Sequence, residues 1–466
     1  MIIELSQYLN GNKDLRGTVI VGSGIAALAT AFALEKQGVE CVLLESGSTP
    51  GDQEWDIGSE PIAKADYGVP DSYTKLHVRR EPGGGSSVWG GWCTSLREIN
   101  FSRPDMPAYP SWPITREQLL PYYSRAAEWL QIKGGKRAEL SEILIPTSQD
   151  LAAKPFGFSP PARYTSHYRE HALKSKKIIL ITGATVHSLA ANAGRVTSIN
   201  VGDKQKKISL KCSGPVVLAG GAIGNSRILA RSKASLDLPA KIHKYVGNFF
   251  FEHPHCYSLG HVLFKPEIAE TISKPEFMSG SFISITPTSS YLTHNNLLDF
   301  NFQLSKDDQS SLKARNMPII RNYKALYGIE PQLYRATLGM EQLPLESNSV
   351  INKSTVNGLN DGHLTLDLTT QKPLVAAAKK WLYLQGVHAW IESQPESQIQ
   401  AVGHLHGTTR MSQNSDSGVV DANCRVYGLN NLFVAGSSVF PTAGFSNPTF
   451  TITALAIRLA DHIATT

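Results

Sequence analysis

The chain has 466 residues, of which 41% are hydrophobic and 18% charged, and its formal net charge is +6. That length exceeds one simple core and predicts two or three domains, or one large interleaved structure, of ordinary globular composition. So mild a charge, with no long basic run, argues against a nucleic-acid partner. The five scattered cysteines form no CxxC pair, which argues against zinc knuckles and a disulfide framework and fits a reducing compartment. The opening stretch MIIELSQYLNGNKD lacks a basic region followed by an apolar one, and no apolar run approaches the ~20 residues of a membrane span. The expectation is a cytoplasmic protein with no membrane span.

The first predicted elements are a strand, a turn, a helix and a strand. Thr18–Val21 is a short β-branched run of the kind found in a buried parallel strand. Gly22-Ser23-Gly24 forces a tight turn, Ile25, Leu28, Ala29 and Phe32 recur at helical spacing, and Gly38 ends the helix. CVLL then restarts a strand that finishes at Glu45, 23 residues after Gly22. Gly22, Gly24 and Ala27 form a dinucleotide fingerprint. Its glycines let backbone approach a pyrophosphate, the helix start supplies free N–H groups, and Glu45 suits ribose hydroxyls. A glutamate there disfavours a 2′-phosphate. The fingerprint alone leaves FAD and NAD open. A glycine loop follows, EPGGGSSVWGGW, from Glu81 to Trp92. It is small and polar enough to lie against a flat ligand, and its Val88 and Trp89 are foreign to a flexible linker.

Residues 101–160 are rich in proline and aromatics and read as a lid or insert, with a helix at about Arg116–Leu130 opened by Thr115. KIILITGATVHSL and RVTSINV read as strands. They lead to a second strand–turn–helix: Val216–Ala219, then Gly220-Gly221, then IGNSRILA. Val246–His255, VGNFFFEHPH, holds one HxH pair, His253 and His255. GSFISIT, LLDFNFQLS and GHLTLDLTT alternate with period two, as in a half-exposed antiparallel sheet. Helical patterning returns over Pro373–Glu392. HLHGTTRM, His404 to Met411, holds a second HxH pair, His404 and His406. Last come a strand at Leu432–Ala435, a Gly436-Ser437 loop, and a long amphipathic helix starting at Asn447-Pro448. Asn447 has two readings at this point, an N-cap or a site residue.

In this order the fingerprint, GGGSSVW, VVLAGGAIGNSRIL, VGNFFFEHP, HLHGTTRM and NLFVAGSSVFPT…NPT resemble the glucose–methanol–choline oxidoreductases. MEQLPLESNSV also resembles a strand pattern of that family. The resemblance runs from about Gly17 to Ile463, and FPTAGFSNPT is most similar to the pyranose-oxidase and cholesterol-oxidase branches. It implies an α/β fold in which a Rossmann-like FAD-binding domain is interleaved with a substrate domain built on an antiparallel sheet with helices. On that reading residues 1–100, 161–255 and 400–466 hold FAD, 101–160 form the insert, and 256–399 bind substrate. The family pattern HxxGT matches His404 to Thr408 and makes His404 the catalytic histidine. The partner position matches Asn447, 43 residues on. The family's cofactor contacts map to Gly22, Gly24, Ala27, Glu45, Gly84, Ser86, Val88, Trp89, Val186, Ala219, Gly220, Gly436, Ser437, Pro448 and Thr449. Some members attach FAD through a histidine of the glycine loop. Val88 stands there in this chain, which implies noncovalent FAD.

Oxidising an alcohol needs a base for the hydroxyl proton and an acceptor for the hydride. A neutral imidazole suits the first role and flavin N5 the second. The implied activity is FAD-dependent oxidation of the CH–OH group of a sugar-like alcohol, with His404 as base, Asn447 holding the alcohol oxygen, and His406 and Trp89 near the substrate. The sugar preference comes from the Ser, Thr, Asn and Gln on the substrate-domain strands and from the sugar oxidases of the related branch. The electron acceptor stays open between oxygen, a quinone and a protein carrier. Three alternatives stand beside this reading. They are a flavoprotein lyase of the same fold, a nicotinamide-dependent dehydrogenase, and a metal held by the two HxH pairs. No carboxylate or thiolate cluster accompanies those pairs, so no metal is expected.

Overall fold

A computed structural model describes the chain apart from residues 11–13, 48–64, 67–76, 161–166, 203–206, 281, 308–316, 355–359 and 392–398. Thr18–Val21, Cys41–Leu44, Val216–Leu218 and Leu432–Val434 are buried at every position. Strands with two apolar faces belong inside a parallel sheet covered on both sides. They form one with Ile2–Glu4 and Ile178–Thr182, six strands in the order 2–4, 178–182, 41–44, 18–21, 216–218, 432–434. Every neighbouring pair is parallel. The N-terminal strand is absent from the sequence reading, because three residues of one edge carry too short a pattern to be seen. The expected strand and helix boundaries around the fingerprint agree with Thr18–Val21, Ile25–Lys36 and Cys41–Leu44.

Helix Ile25–Lys36 buries an alanine-rich surface, including Ala27 and Ala31, which lets the C-terminal helix Pro448–Thr465 pack closely against it. Helix Arg116–Trp129 packs on the same C-terminal helix. It opens with a capping box: Thr115 Oγ1 accepts from Gln118 N while the Gln118 side chain accepts from Thr115 N.

The second body is a nine-stranded antiparallel sheet. Its path runs through Gly386–Ile391, His255–Phe264, Tyr334–Met340, Phe300–Lys306, Phe282–Pro287, Leu151–Ala153 and Ile143–Leu144. Its core is aromatic. Trp381, fully buried on helix Lys372–Gln385, stacks on Phe302 with ring centroids 5.8 Å apart. Burying side chains of this size contributes on the order of 1.5–3 kcal/mol each. Two expectations need correction here. The helix expected over Pro373–Glu392 stops at Gln385, and GVHAWI becomes a strand paired with His255–Phe264. Gly386 breaks the helix, and tertiary pairing at the sheet edge decides the rest. The 101–160 insert also sends strands Ile143–Leu144 and Leu151–Ala153 into this sheet. Among the described residues no helix is long and apolar enough to cross a membrane, and all five cysteines are free and buried.

Candidate active site

The carboxyl ends of the parallel strands open onto a cavity of about 690 Å³. Gly22, at the end of Thr18–Val21, has φ of +103°. A Cβ there would lie 2.7 Å from the Ala219 carbonyl oxygen, so only glycine lets the two strand–helix turns close on each other. Ser23 ties three parts together. Its hydroxyl donates to Glu45 Oε2 at 2.6 Å and accepts from Gly83 N at 3.1 Å. Gly47 N donates to Glu45 Oε1 at 2.9 Å. Burial pushes the Glu45 carboxyl above its ordinary range, opposed by those hydrogen bonds. Arg80 lines the same cavity; burial disfavours its charged form, and Glu45 opposes that.

The wall fits an anionic dinucleotide. Helices Ile25–Lys36 and Pro448–Thr465 both start at the cavity without a side-chain cap, so their first N–H groups have no such partner. Trp89 Nε1 is buried, lines the cavity and has no hydrogen-bond partner. An orphaned donor beside two open helix starts is what a pyrophosphate and a polar ring system would satisfy. Val88 also lines the cavity and offers no nucleophile for a covalent link. Every expected cofactor position lies on this wall except Ala27, which is fully buried.

His404 and Asn447 line the same cavity. HLHGTTRM lies between two supports. On one side Phe251 and His406 form an antiparallel bridge, with His406 N donating to Phe251 O at 3.0 Å. On the other, Ser437 Oγ donates to Leu405 O at 2.5 Å, and Gly407 N donates to Ser437 O at 3.2 Å. Gly407 has φ of +87°, and a Cβ there would come within 2.7 Å of the Phe251 ring. The Glu252 carboxylate accepts from Gly403 N at 2.7 Å and from His404 N at 2.9 Å. The His404 side chain hydrogen-bonds through Nδ1 to His253 Nε2, with ring centroids 4.2 Å apart. Burial, followed by the neighbouring His255, His406 and His77, holds the His404 imidazole well below its ordinary value, so it is neutral at neutral pH.

Asn447 occupies the N-cap position, in extended conformation with φ −60° and ψ 132°, yet its side chain makes no capping hydrogen bond. The preceding loop is firmly held. Thr442 Oγ1 donates to Asn100 O at 2.6 Å, Gly444 N to Glu341 Oε1 at 3.2 Å, and Ser446 Oγ to Ser95 O at 3.1 Å. Tyr109 OH donates to the same Glu341 oxygen at 2.6 Å, and burial beside Asp299 pushes the Glu341 carboxyl up to about 7.

His406 is fully buried and does not line the cavity; it stacks on Phe251 at 4.9 Å. The two HxH pairs do meet, but through the His253–His404 hydrogen bond. Among the described residues no group of three or more His, Cys, Asp or Glu side chains is placed to hold a metal ion. Sequence reasoning missed Ser23, Arg80, Glu252 and His253 as working parts. Only EHPH carried a signal, its HxH pair. MEQ also proves paired in purpose: Glu341 holds the Asn447 loop, and Gln342 Oε1 accepts from Glu252 N at 3.0 Å.

Residues 360–456 match the family described as GMC oxidoreductase, and residues 20–68 match the NAD(P)-binding Rossmann-like domain. The chain is 22% identical to 6'''-hydroxyparomomycin C oxidase of Streptomyces lividus, over 96% of this chain and 91% of that one. It is 25% identical to pyranose 2-oxidase of Tricholoma matsutake over 31% of this chain and 24% of that one. Its fold is similar to that of formate oxidase from Aspergillus oryzae RIB40, a structure concerned with FAD modification. That match has a TM-score of 0.57, 14% identity, and covers 96% and 98% of the two chains.

Proposed function

We propose, from its likeness to the GMC oxidoreductases, that the chain uses FAD to oxidise the CH–OH group of a polar, sugar-like alcohol. In this reading FAD is held noncovalently, His404 takes the hydroxyl proton and Asn447 orients the alcohol oxygen. One observation carries it: a single cavity wall holds the glycine turns, a neutral histidine, and an N-cap asparagine whose side chain does not cap.

Bound FAD would supply this site with an acceptor for the hydride of the carbinol carbon. The residues of the chain do the rest. Gly22, Gly24 and the uncapped helix starts hold the dinucleotide, and Glu45 is offered to its ribose. The Pro448–Thr465 helix turns its positive end toward the cavity, where it stabilises negative charge. His404 as a neutral base contributes about 10²–10⁴-fold. Asn447, on a loop pinned at Thr442, Gly444 and Ser446, holds the hydroxyl so that the C–H bond keeps one direction. We assign residues 1–100, 161–255 and 400–466 to the cofactor half and 256–399 to the substrate half, with 101–160 between them. The substrate class rests on the polar strands and on the pyranose 2-oxidase likeness.

The purified protein is expected to show the absorption of an oxidised flavin that denaturation releases, and one member of an anaerobic panel of sugars, glycosides and simple alcohols bleaches it. A colourless protein reducing nicotinamide sinks the flavin reading. A flavin that stays oxidised while an adduct such as a cyanohydrin is cleaved identifies a lyase.

A further inference from the structure

We propose that His253 is a positioning residue that locks His404 into the one tautomer able to act as a base toward the cavity. The inference rests on the reading of His404 as the base. His253 Nδ1 lies 2.7 Å from the Phe445 carbonyl oxygen, which can only accept, so the His253 ring proton is on Nδ1. His253 is fully buried, and burial followed by the surrounding imidazoles disfavours its charged form. A neutral imidazole has one N–H, so His253 Nε2 carries a lone pair. The atom facing it is His404 Nδ1. That contact is a hydrogen bond only when His404 Nδ1 is the donor. The neutral His404 ring is then left with its lone pair on Nε2.

The reverse tautomer would set two lone pairs against each other and leave a buried acceptor unmet. The chain of bonds also ends at Phe445, because an amide carbonyl does not pass a proton on. His253 therefore fixes a proton rather than relaying one, and the proton taken up on His404 Nε2 must leave through the cavity. Glu252 completes the arrangement from the adjacent position. Its carboxylate holds the backbone at Gly403 and His404 while His253 holds the ring. The other titratable groups facing the pair are His255, 5.0 Å from His253 between ring centroids, His406 at 6.4 Å, and His77 on the His404 side. The Phe445 carbonyl belongs to the loop that delivers Asn447, so the same bond sets the base relative to its partner.

The test begins with nitrogen NMR of the flavin-loaded protein labelled in its histidines, with the His404 signals identified by their loss in His404→Ala. The expected wild-type spectrum shows His404 protonated on Nδ1 and bare on Nε2. Protonation on Nε2 instead overturns the lock, whatever His404 does in the reaction. His253→Leu keeps the volume and removes the acceptor. It is expected to bind FAD, shift His404 toward mixed tautomers and slow anaerobic flavin reduction by about ten- to a hundred-fold, the range typical of lost supporting hydrogen bonds. His253→Gln, which can return an acceptor oxygen near Nε2, recovers most of the rate. A tautomer shift with no change in reduction rate overturns the base reading on which the inference stands. Slow reduction with an unshifted tautomer overturns the lock itself.

Discussion

His404→Ala is expected to keep its flavin and lose about 10²–10⁴-fold in the rate at which its alcohol bleaches it. The two halves of that expectation have separate causes. In the proposed reading the flavin nucleotide is held by the glycine turns, Glu45 and the two helix starts, none of which the imidazole supports. The backbone at 403–404 is held by Glu252 through N–H groups that alanine retains. What disappears is the acceptor for the hydroxyl proton. The pH dependence sharpens the prediction. Burial and three neighbouring imidazoles keep His404 neutral well below the ordinary histidine range. The wild-type reduction rate is therefore flat through neutral pH and falls only in acid, where the base becomes protonated. The alanine variant loses that acid limb, and its residual rate rises with pH as the alcohol itself ionises. A variant within a few-fold of wild type, or one retaining the acid limb, would remove His404 from the base role.

Asn447→Ala separates a cap from a ligand. Were the side chain capping helix Pro448–Thr465, its loss would cost about 0.5–2 kcal/mol of stability. No capping bond is made, so the unfolding midpoint should barely move. The reduction rate should fall by roughly ten- to a hundred-fold, the scale on which lost orientation acts. Because substrate contacts elsewhere in the cavity survive, the turnover number falls more than the apparent affinity. Lower stability with an intact rate per folded molecule would make Asn447 structural.

Local chemistry was the legible part. Gly22, Ser23, Gly24 and Glu45 announce a strand–turn–helix because their spacing is set by one continuous piece of backbone. The family resemblance added His404 and Asn447, which no local rule could join, since they stand 43 residues apart. Asn447-Pro448 is also the place where the sequence was ambiguous in principle. The same pair starts a helix whether or not the amide turns inward to cap. His253 was seen as half of an HxH pair and not as the partner of His404. The two are separated by 151 residues, and the bridge between Phe251 and His406, with the hydrogen bonds from Gly403 N and His404 N to Glu252, brings them together. GVHAWI was misread because a helical pattern runs straight through Gly386, and the strand exists only through pairing with His255–Phe264. His406 shared a motif with His404 but points into the packing of Phe251 and Phe440. Period and spacing place residues along an element; they do not say which of two neighbouring histidines faces a cavity.

The most direct measurement is a crystal structure of the flavin-loaded enzyme with a non-reacting analogue of the alcohol that bleaches it. The analogue's oxygen is expected within hydrogen-bond reach, about 2.6–3.2 Å, of both His404 Nε2 and the Asn447 side chain. An oxygen bound away from His404 Nε2, or an Asn447 side chain turned back onto the first turn of its own helix, would contradict that expectation.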